Sequence, residues 1–194
     1  MSKSDISNGM DENETKNFST KLLGGGYEII KFVIISLLIV VPFRMWVAQP
    51  FIVSGASMEP NFQNGDYLII DEVSYNLRAP ERGEIIVLRM PGNASFFIKR
   101  IIGLPNEKIE IREGKIYIFN AESSTGFTLK EKYLAQISTF PDETVILKSD
   151  EYFVMGDNRS QSLDSRAWGA IRKNNIVGKT LVRLWPLAAI GLTK

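Results

Sequence analysis

Three places in this chain carry side chains able to do chemistry together. The first is Ser57, in Val53-Ser-Gly-Ala-Ser57-Met58-Glu-Pro60, where a strand should break into a turn. Gly55 permits positive φ or a close backbone approach, and Pro60 fixes the exit. A nucleophilic serine needs such a rigid corner, with backbone N–H groups aimed at a developing oxyanion. Taken alone, Ser57 reads as an ordinary turn serine. The second place is Lys99, inside the apolar run Phe96-Phe-Ile-Lys99-Arg100-Ile-Ile-Gly103. On a strand, Phe97, Lys99 and Ile101 share one face while Ile98, Arg100 and Ile102 share the other. Neither face looks solvated, so at least one cation is expected to be desolvated. An ordinary lysine is neutral in only about one molecule in 2,500 at pH 7, and lowering its pKa by about 3 units takes roughly 4 kcal/mol. Burial can supply that, and the neutral amine is then a base. A lysine that snorkels out at a sheet edge is the alternative, and the run alone does not choose between them. The third place is the polar stretch Gly156-Asp157-Asn158-Arg159-Ser160-Gln161-Ser162-Leu163-Asp164-Ser165-Arg166-Ala-Trp168-Gly169, directly after an apolar strand candidate. Trp168 is expected to fold this loop back onto the core, so that its Asp–Arg pairs brace a site and Ser162 orients a buried amine.

The composition sharpens this reading. The 194 residues include no His and no Cys, which removes imidazole-based triads, thiol nucleophiles, disulfides and the commonest metal ligands. No metal and no cofactor are expected. Acid–base chemistry near neutrality must come from Lys, Asp, Glu or Tyr with a displaced pKa. With 23 Lys+Arg against 22 Asp+Glu the net charge is +1, which argues against a nucleic-acid partner. No Gly-x-Ser-x-Gly elbow surrounds Ser57, no Ser-x-x-Lys occurs, and there is no Walker loop or GxGxxG.

Stepping outward, residues 1–26 have the composition of a disordered tail ending in Gly24-Gly25-Gly26. The apolar run that follows, extended over Ile29–Ala48 with Lys31 and Arg44 snorkelling, reaches bilayer length, and residues 27–48 are expected to form one retained transmembrane anchor. Lys16 and Lys21 precede it and Lys31 lies at its near end, and after Arg44 no Lys or Arg occurs until Arg78. The positive-inside rule then places the N-terminus in the cytoplasm and residues 49–194 across the plasma (inner) membrane. From Phe51 onward the pattern is β. Asn64-Gly65 signals a two-residue hairpin between a strand near Phe51–Val53 and another at Tyr67–Ile70. Further strands are expected at Glu84–Leu88, Phe96–Ile102, Lys108–Ile111, Lys115–Phe119, Thr144–Leu147, Tyr152–Met155 and Lys179–Leu184, with 121–143 looping out. The expected fold class is mainly β: a single all-β domain on one N-terminal transmembrane helix, with a small accessory β region at about 106–148.

In order along the chain come an anchor, Ser57-Met58-x-Pro60, Arg82-Gly83-Glu84-Ile85-Ile86-Val87, Lys99-Arg100-Ile-Ile-Gly103-Leu104-Pro105 and Gly156-Asp157-Asn158-Arg159-x-x-Ser162-x-Asp164-Ser165-Arg166-x-Trp168-Gly169. This series resembles the type I signal peptidases, membrane-bound serine endopeptidases that remove signal peptides from exported proteins after small residues of the Ala-x-Ala type. The resemblance implies a signal-peptidase/LexA-like β fold, Ser57 as nucleophile, Lys99 as general base and Ser162 as the hydroxyl that positions the amine. It implies Asp164 with Arg166, and Asp157 with Arg100, as structural ion pairs. Met58, Phe62, Phe97 and Ile98 are the expected lining of the substrate pockets. The implied partners are signal peptides of exported preproteins and the lipid bilayer. Gly55 stands where some members carry a serine that assists the oxyanion hole, which here would rest on backbone N–H groups. Asn61 and Glu84 replace the more common Thr and Asp. The rival readings are an inactive anchored β-domain serving as an interaction module, and a LexA-like self-cleaving Ser/Lys peptidase.

Overall fold

A computed structural model describes residues 28–40, 48–90, 95–134 and 139–193. The chain divides into two units, Met1–Met45 and Trp46–Lys194. In the first, residues 28–40 form a helix (α1) whose apolar side chains, among them Ile29, Phe32 and Leu38, are exposed. Thirteen helical residues span only about 20 Å, and among the described residues no helix is long and apolar enough to cross a membrane. The expected anchor continues through 41–47, which lie outside the described residues, as does the tail.

The second unit is mainly β. Its larger sheet runs in the order β1 (Ala48–Ile52), β2 (Tyr67–Asp71), β11 (Ile176–Trp185), β3 (Ile85–Arg89), β4 (Phe96–Gly103), β9 (Glu151–Met155) and β10 (Ile171–Arg172), with β12 (Gly191–Leu192) on β11. Its smaller sheet runs β7 (Ser123–Thr128), β6 (Lys115–Asn120), β5 (Lys108–Arg112) and β8 (Glu143–Ile146). Short helices α2 (Ser74–Leu77) and α3 (Ser165–Trp168) interrupt the strands.

The alternation that marked the strands in the sequence also builds the core. Ile109, Ile111, Ile116 and Ile118, spaced by two along β5 and β6, point inward together and pack on Ile102, Phe153 and Met155 of the larger sheet. Val53, Met58, Phe62, Leu68, Ile70, Ile85 and Val87 form a second cluster beneath the Ser57 turn. A third gathers Ile86, Leu88, Ile101, Tyr152 and Val154, with Phe97 and Trp168 packed against it.

Two sequence expectations change. β1 and β2 do pair, Ile52 opposite Tyr67, but residues 53–66 separate them, so Asn64-Gly65 is not a two-residue hairpin. Val53 and Gly65 instead close a wide loop: Val53 N–H donates to Asp66 O and Gly65 N–H to Val53 O, both at 2.9 Å. A short polar turn signal cannot report that the apolar Met58 and Phe62 within the loop are pulled into the core. Segment 121–143 does not simply loop out either. It supplies β7, and the stretch between β7 and β8 sends Glu131 and Thr139 into the interior, 7% and 1% exposed.

Candidate active site

The Ser57 loop is pinned at both ends and in the middle. Gly55 holds φ +90, a conformation that a side chain would strain, and donates its N–H to Asn64 Oδ1 at 2.9 Å. Immediately past Ser57, Met58 is fully buried, and Phe62 N–H donates to Met58 O at 2.9 Å. The backbone of Ser57 is therefore fixed by the core below it, while its side chain faces a cleft.

Lys99 comes from the middle of β4, opposite Ile86 of β3. It is 3% exposed, and its Nζ donates to Ser57 Oγ at 2.8 Å and to Ile98 O at 3.0 Å. Burial lowers its pKa to about 8, against the opposing pull of Asp164 and Asp157. A lysine with that pKa is about one-tenth neutral at pH 7 and about half neutral at pH 8.

Beside the pair lies an open cleft, walled by Phe51, Ile52, Val53 and Ser54 on one side and Phe96, Phe97 and Ile98 on the other, with Leu68 and Val87 between. Its walls are β1 and β4, which are not neighbours in the sheet, yet Phe51 and Phe96 meet edge to face at 5.1 Å. The sheet must curl for that contact to form. Of the expected pocket residues, Phe97 and Ile98 line this cleft. Met58 and Phe62 do not; both sit in the core below, because the loop that carries them packs inward rather than beside Ser57. Phe51, Leu68 and Val87, which line the cleft, are inward positions on curled strands. Sequence alternation identifies such positions as apolar without telling whether another side chain or an open space faces them.

On the other side of Lys99 lies the polar loop after β9. Asp164 and Arg166 form a two-pronged pair, Nε to Oδ1 and Nη2 to Oδ2, both at 2.8 Å. Burial alone would raise the Asp164 carboxyl, but Arg166 and the Gly156 N–H hold it below the usual range. Arg100 grips Asp157 in the same way, at 2.9 and 2.7 Å. Asn158 N–H donates to Ser57 O at 3.0 Å, tying the loop to the nucleophile's backbone. Gly156 permits this closeness, since a Cβ there would stand 2.4 Å from Ser57 O and 2.2 Å from Ser162 Oγ. The Ser162 hydroxyl is buried and finds no partner in hydrogen-bonding geometry; Lys99 is not bonded to it. It does lie near enough to Asp164 to help keep that carboxyl ionised. Trp168 packs edge-on against Phe97 at 5.4 Å, so the loop's far end supports the cleft wall. Glu131, Tyr133, Thr139 and Asn61 also reach this loop, and nothing in the sequence pattern around them pointed to it. Among the described residues no cluster of carboxylates could hold a metal ion.

A serine hydroxyl on a buried, partly neutral amine, beside an apolar cleft, is suited to acyl transfer from an extended peptide. The model of the family described as signal peptidase, peptidase S26, matches residues 26–185. The chain belongs to the signal peptidase family. Similar proteins include a probable signal peptidase I-2 of Synechocystis sp., 36% identical over 85% of this chain and 76% of that protein. A signal peptidase I of Leptolyngbya laminosa is 33% identical over 84% of this chain and 82% of its own length. A signal peptidase IB of Staphylococcus aureus is 30% identical over 83% of this chain and 92% of its own. A crystal structure of a signal peptidase I from Enterococcus faecalis matches with a TM-score of 0.45 at 32% identity, covering 53% of this chain and 97% of that one. The family assignment rests on the sequence matches, and its activity class is that of a type I signal peptidase, a serine endopeptidase.

Proposed function

We propose that this signal peptidase cuts preproteins with Ser57 as nucleophile and neutral Lys99 as general base. The observation that carries the reading is the 2.8 Å approach of Lys99 Nζ to Ser57 Oγ at an amine only 3% exposed. Neutral Lys99 accepts the Ser57 proton as Oγ attacks the scissile carbonyl, and the Ser57 backbone N–H leads the donors to the oxyanion. The resulting ammonium protonates the leaving amine, and water activated by the same lysine then releases the acyl group. The Asp164–Arg166 and Asp157–Arg100 pairs hold the loop beneath the amine. No cofactor or metal takes part.

The substrate is the signal peptide of an exported preprotein, bound as an added strand along the cleft walls. The apolar cleft favours small residues ahead of the cut, in the Ala-x-Ala manner. Residues 27–48 anchor the enzyme as a single span with a cytoplasmic N-terminus, and residues 49–194 act on the far face of the plasma membrane. The exposed apolar side chains of α1 favour this, since they would otherwise face water. Incubating the purified protein with a preprotein carrying Ala-x-Ala before the cut, beside Ser57→Ala, tests the reading. Wild type should release the mature protein and the variant should not; equal cleavage by both would exclude Ser57 as nucleophile.

A further inference from the structure

The stretch between β7 and β8 grips the site from behind. The Glu131 carboxylate takes both terminal nitrogens of Arg159, with Nη1 at 3.1 Å from Oε2 and Nη2 on Oε1. Tyr133 donates its hydroxyl to Glu131 Oε1 at 2.8 Å, and Arg159 Nη1 also donates to Thr139 Oγ1. Glu131 and Arg159 are 7% and 8% exposed, so this is an interior ion pair. Arg159 spends its remaining nitrogen on the loop itself: Nε donates to Gly156 O at 3.1 Å, and its carbonyl accepts from Arg166 Nη2 at 2.7 Å. The adjacent Asn158 N–H holds Ser57 O.

A second grip comes from Tyr133. Its carbonyl and Asp157 Oδ2 both accept from Asn61 Nδ2 at 2.8 Å, four residues beyond Ser57. Its ring covers the Arg100 guanidinium at 3.9 Å. One short segment thus touches both the turn that holds Ser57 from above and the chain that leaves it below. None of these residues lines the cleft, so any effect on catalysis must pass through others.

We infer that Glu131, with Tyr133 and Thr139, is a positioning residue: by clamping Arg159 it fixes the 156–162 turn, keeps the Ser57 hydroxyl on the Lys99 amine and keeps water off that amine. The inference rests on Ser57 and Lys99 being the catalytic pair. A purely structural ion pair would change stability alone. A clamp should also change kcat, because displacing reacting groups by about 1 Å can cost on the order of 100-fold. It should further move the acid limb of the pH–rate profile, because readmitted water returns the lysine toward its ordinary pKa. The charged groups facing Lys99 are Asp157 and Asp164, each held by an arginine, and Glu131→Gln removes neither.

The test uses the full chain in detergent with a fluorogenic peptide carrying Ala-x-Ala before the cut. Glu131→Gln should lower kcat by about 10- to 100-fold with KM within about twofold, and should shift the acid limb of kcat/KM to higher pH. Thr139→Val removes one acceptor from Arg159 without changing shape, and should show the same signs at about threefold; it carries the test if Glu131→Gln does not fold. A lowered melting temperature with kcat and acid limb unchanged would overturn the clamp. Ser57→Ala and Lys99→Arg run alongside. If either of those stays active, the catalytic pair and the clamp both fall; if both are dead while the Glu131 and Thr139 variants behave as wild type, only the clamp falls.

Discussion

The two sides of Lys99 obey different physics. On the cleft side, β1 and β4 present apolar side chains around an open space, and what matters there is shape and the exclusion of water. On the loop side, Asp157, Asp164, Arg100 and Arg166 are buried as paired charges, and what matters is that every charge keeps its partner. The amine sits on the seam. The cleft wall strips its water and drives the pKa down, the two carboxylates pull it back up, and the balance settles at about 8. A base usable near neutrality is the product of that opposition and belongs to neither region alone.

Removing the base while leaving both regions in place should have the largest effect. Lys99→Arg should lose at least about 1,000-fold in kcat/KM on a preprotein, because a guanidinium stays protonated. Removing a charge from the loop side tests the balance next. Asp164→Asn leaves Arg166 as an unpaired, nearly buried cation, and should cost about 3–5 kcal/mol in chemical denaturation. The sign of its kinetic effect is also fixed. Losing an anion that raises the Lys99 pKa should move the acid limb of kcat/KM to lower pH, opposite to the shift expected for Glu131→Gln. On the cleft side, Ile98→Ala should widen the space beside the catalytic pair and change selectivity. Peptides with Val in place of Ala before the cut should gain about tenfold relative to the Ala peptide. The smallest effect concerns stability. A depressed lysine pKa means that the folded state binds fewer protons than the unfolded state between about pH 8 and 10.5, so the buried amine opposes folding below that window. Lys99→Met should therefore be inactive yet more stable at pH 7 by about 0.5–2 kcal/mol, read from urea unfolding.

The strands were legible where burial alternates, as in Lys108–Arg112 and Lys115–Asn120, because period-two hydrophobicity is a local property. Ser57 and Lys99 were legible as types out of place: a serine at a rigid corner, and a cation inside an apolar run. Their approach across 42 positions of sequence is a property of the fold, and only the resemblance to a family joined them beforehand. Met58 and Phe62 lie in the core, which their sequence does not reveal, because an apolar residue near a nucleophile reads the same whether it faces the substrate or the core. Glu131 and Tyr133 carry no signal in the sequence, because a polar stretch without periodicity looks like solvated loop. Its ion pair with Arg159 spans 28 positions and leaves no local trace.

Catalysis as proposed requires that the Lys99 amine give up its charge near neutrality while resting on Ser57. Titrating the Lys99 side chain directly, by NMR of the lysine-labelled full chain in micelles with Lys99→Met to assign the signal, measures this without reference to turnover. The expected midpoint lies near pH 8. A midpoint near 10.5, the ordinary value for a solvated lysine side chain, would contradict it.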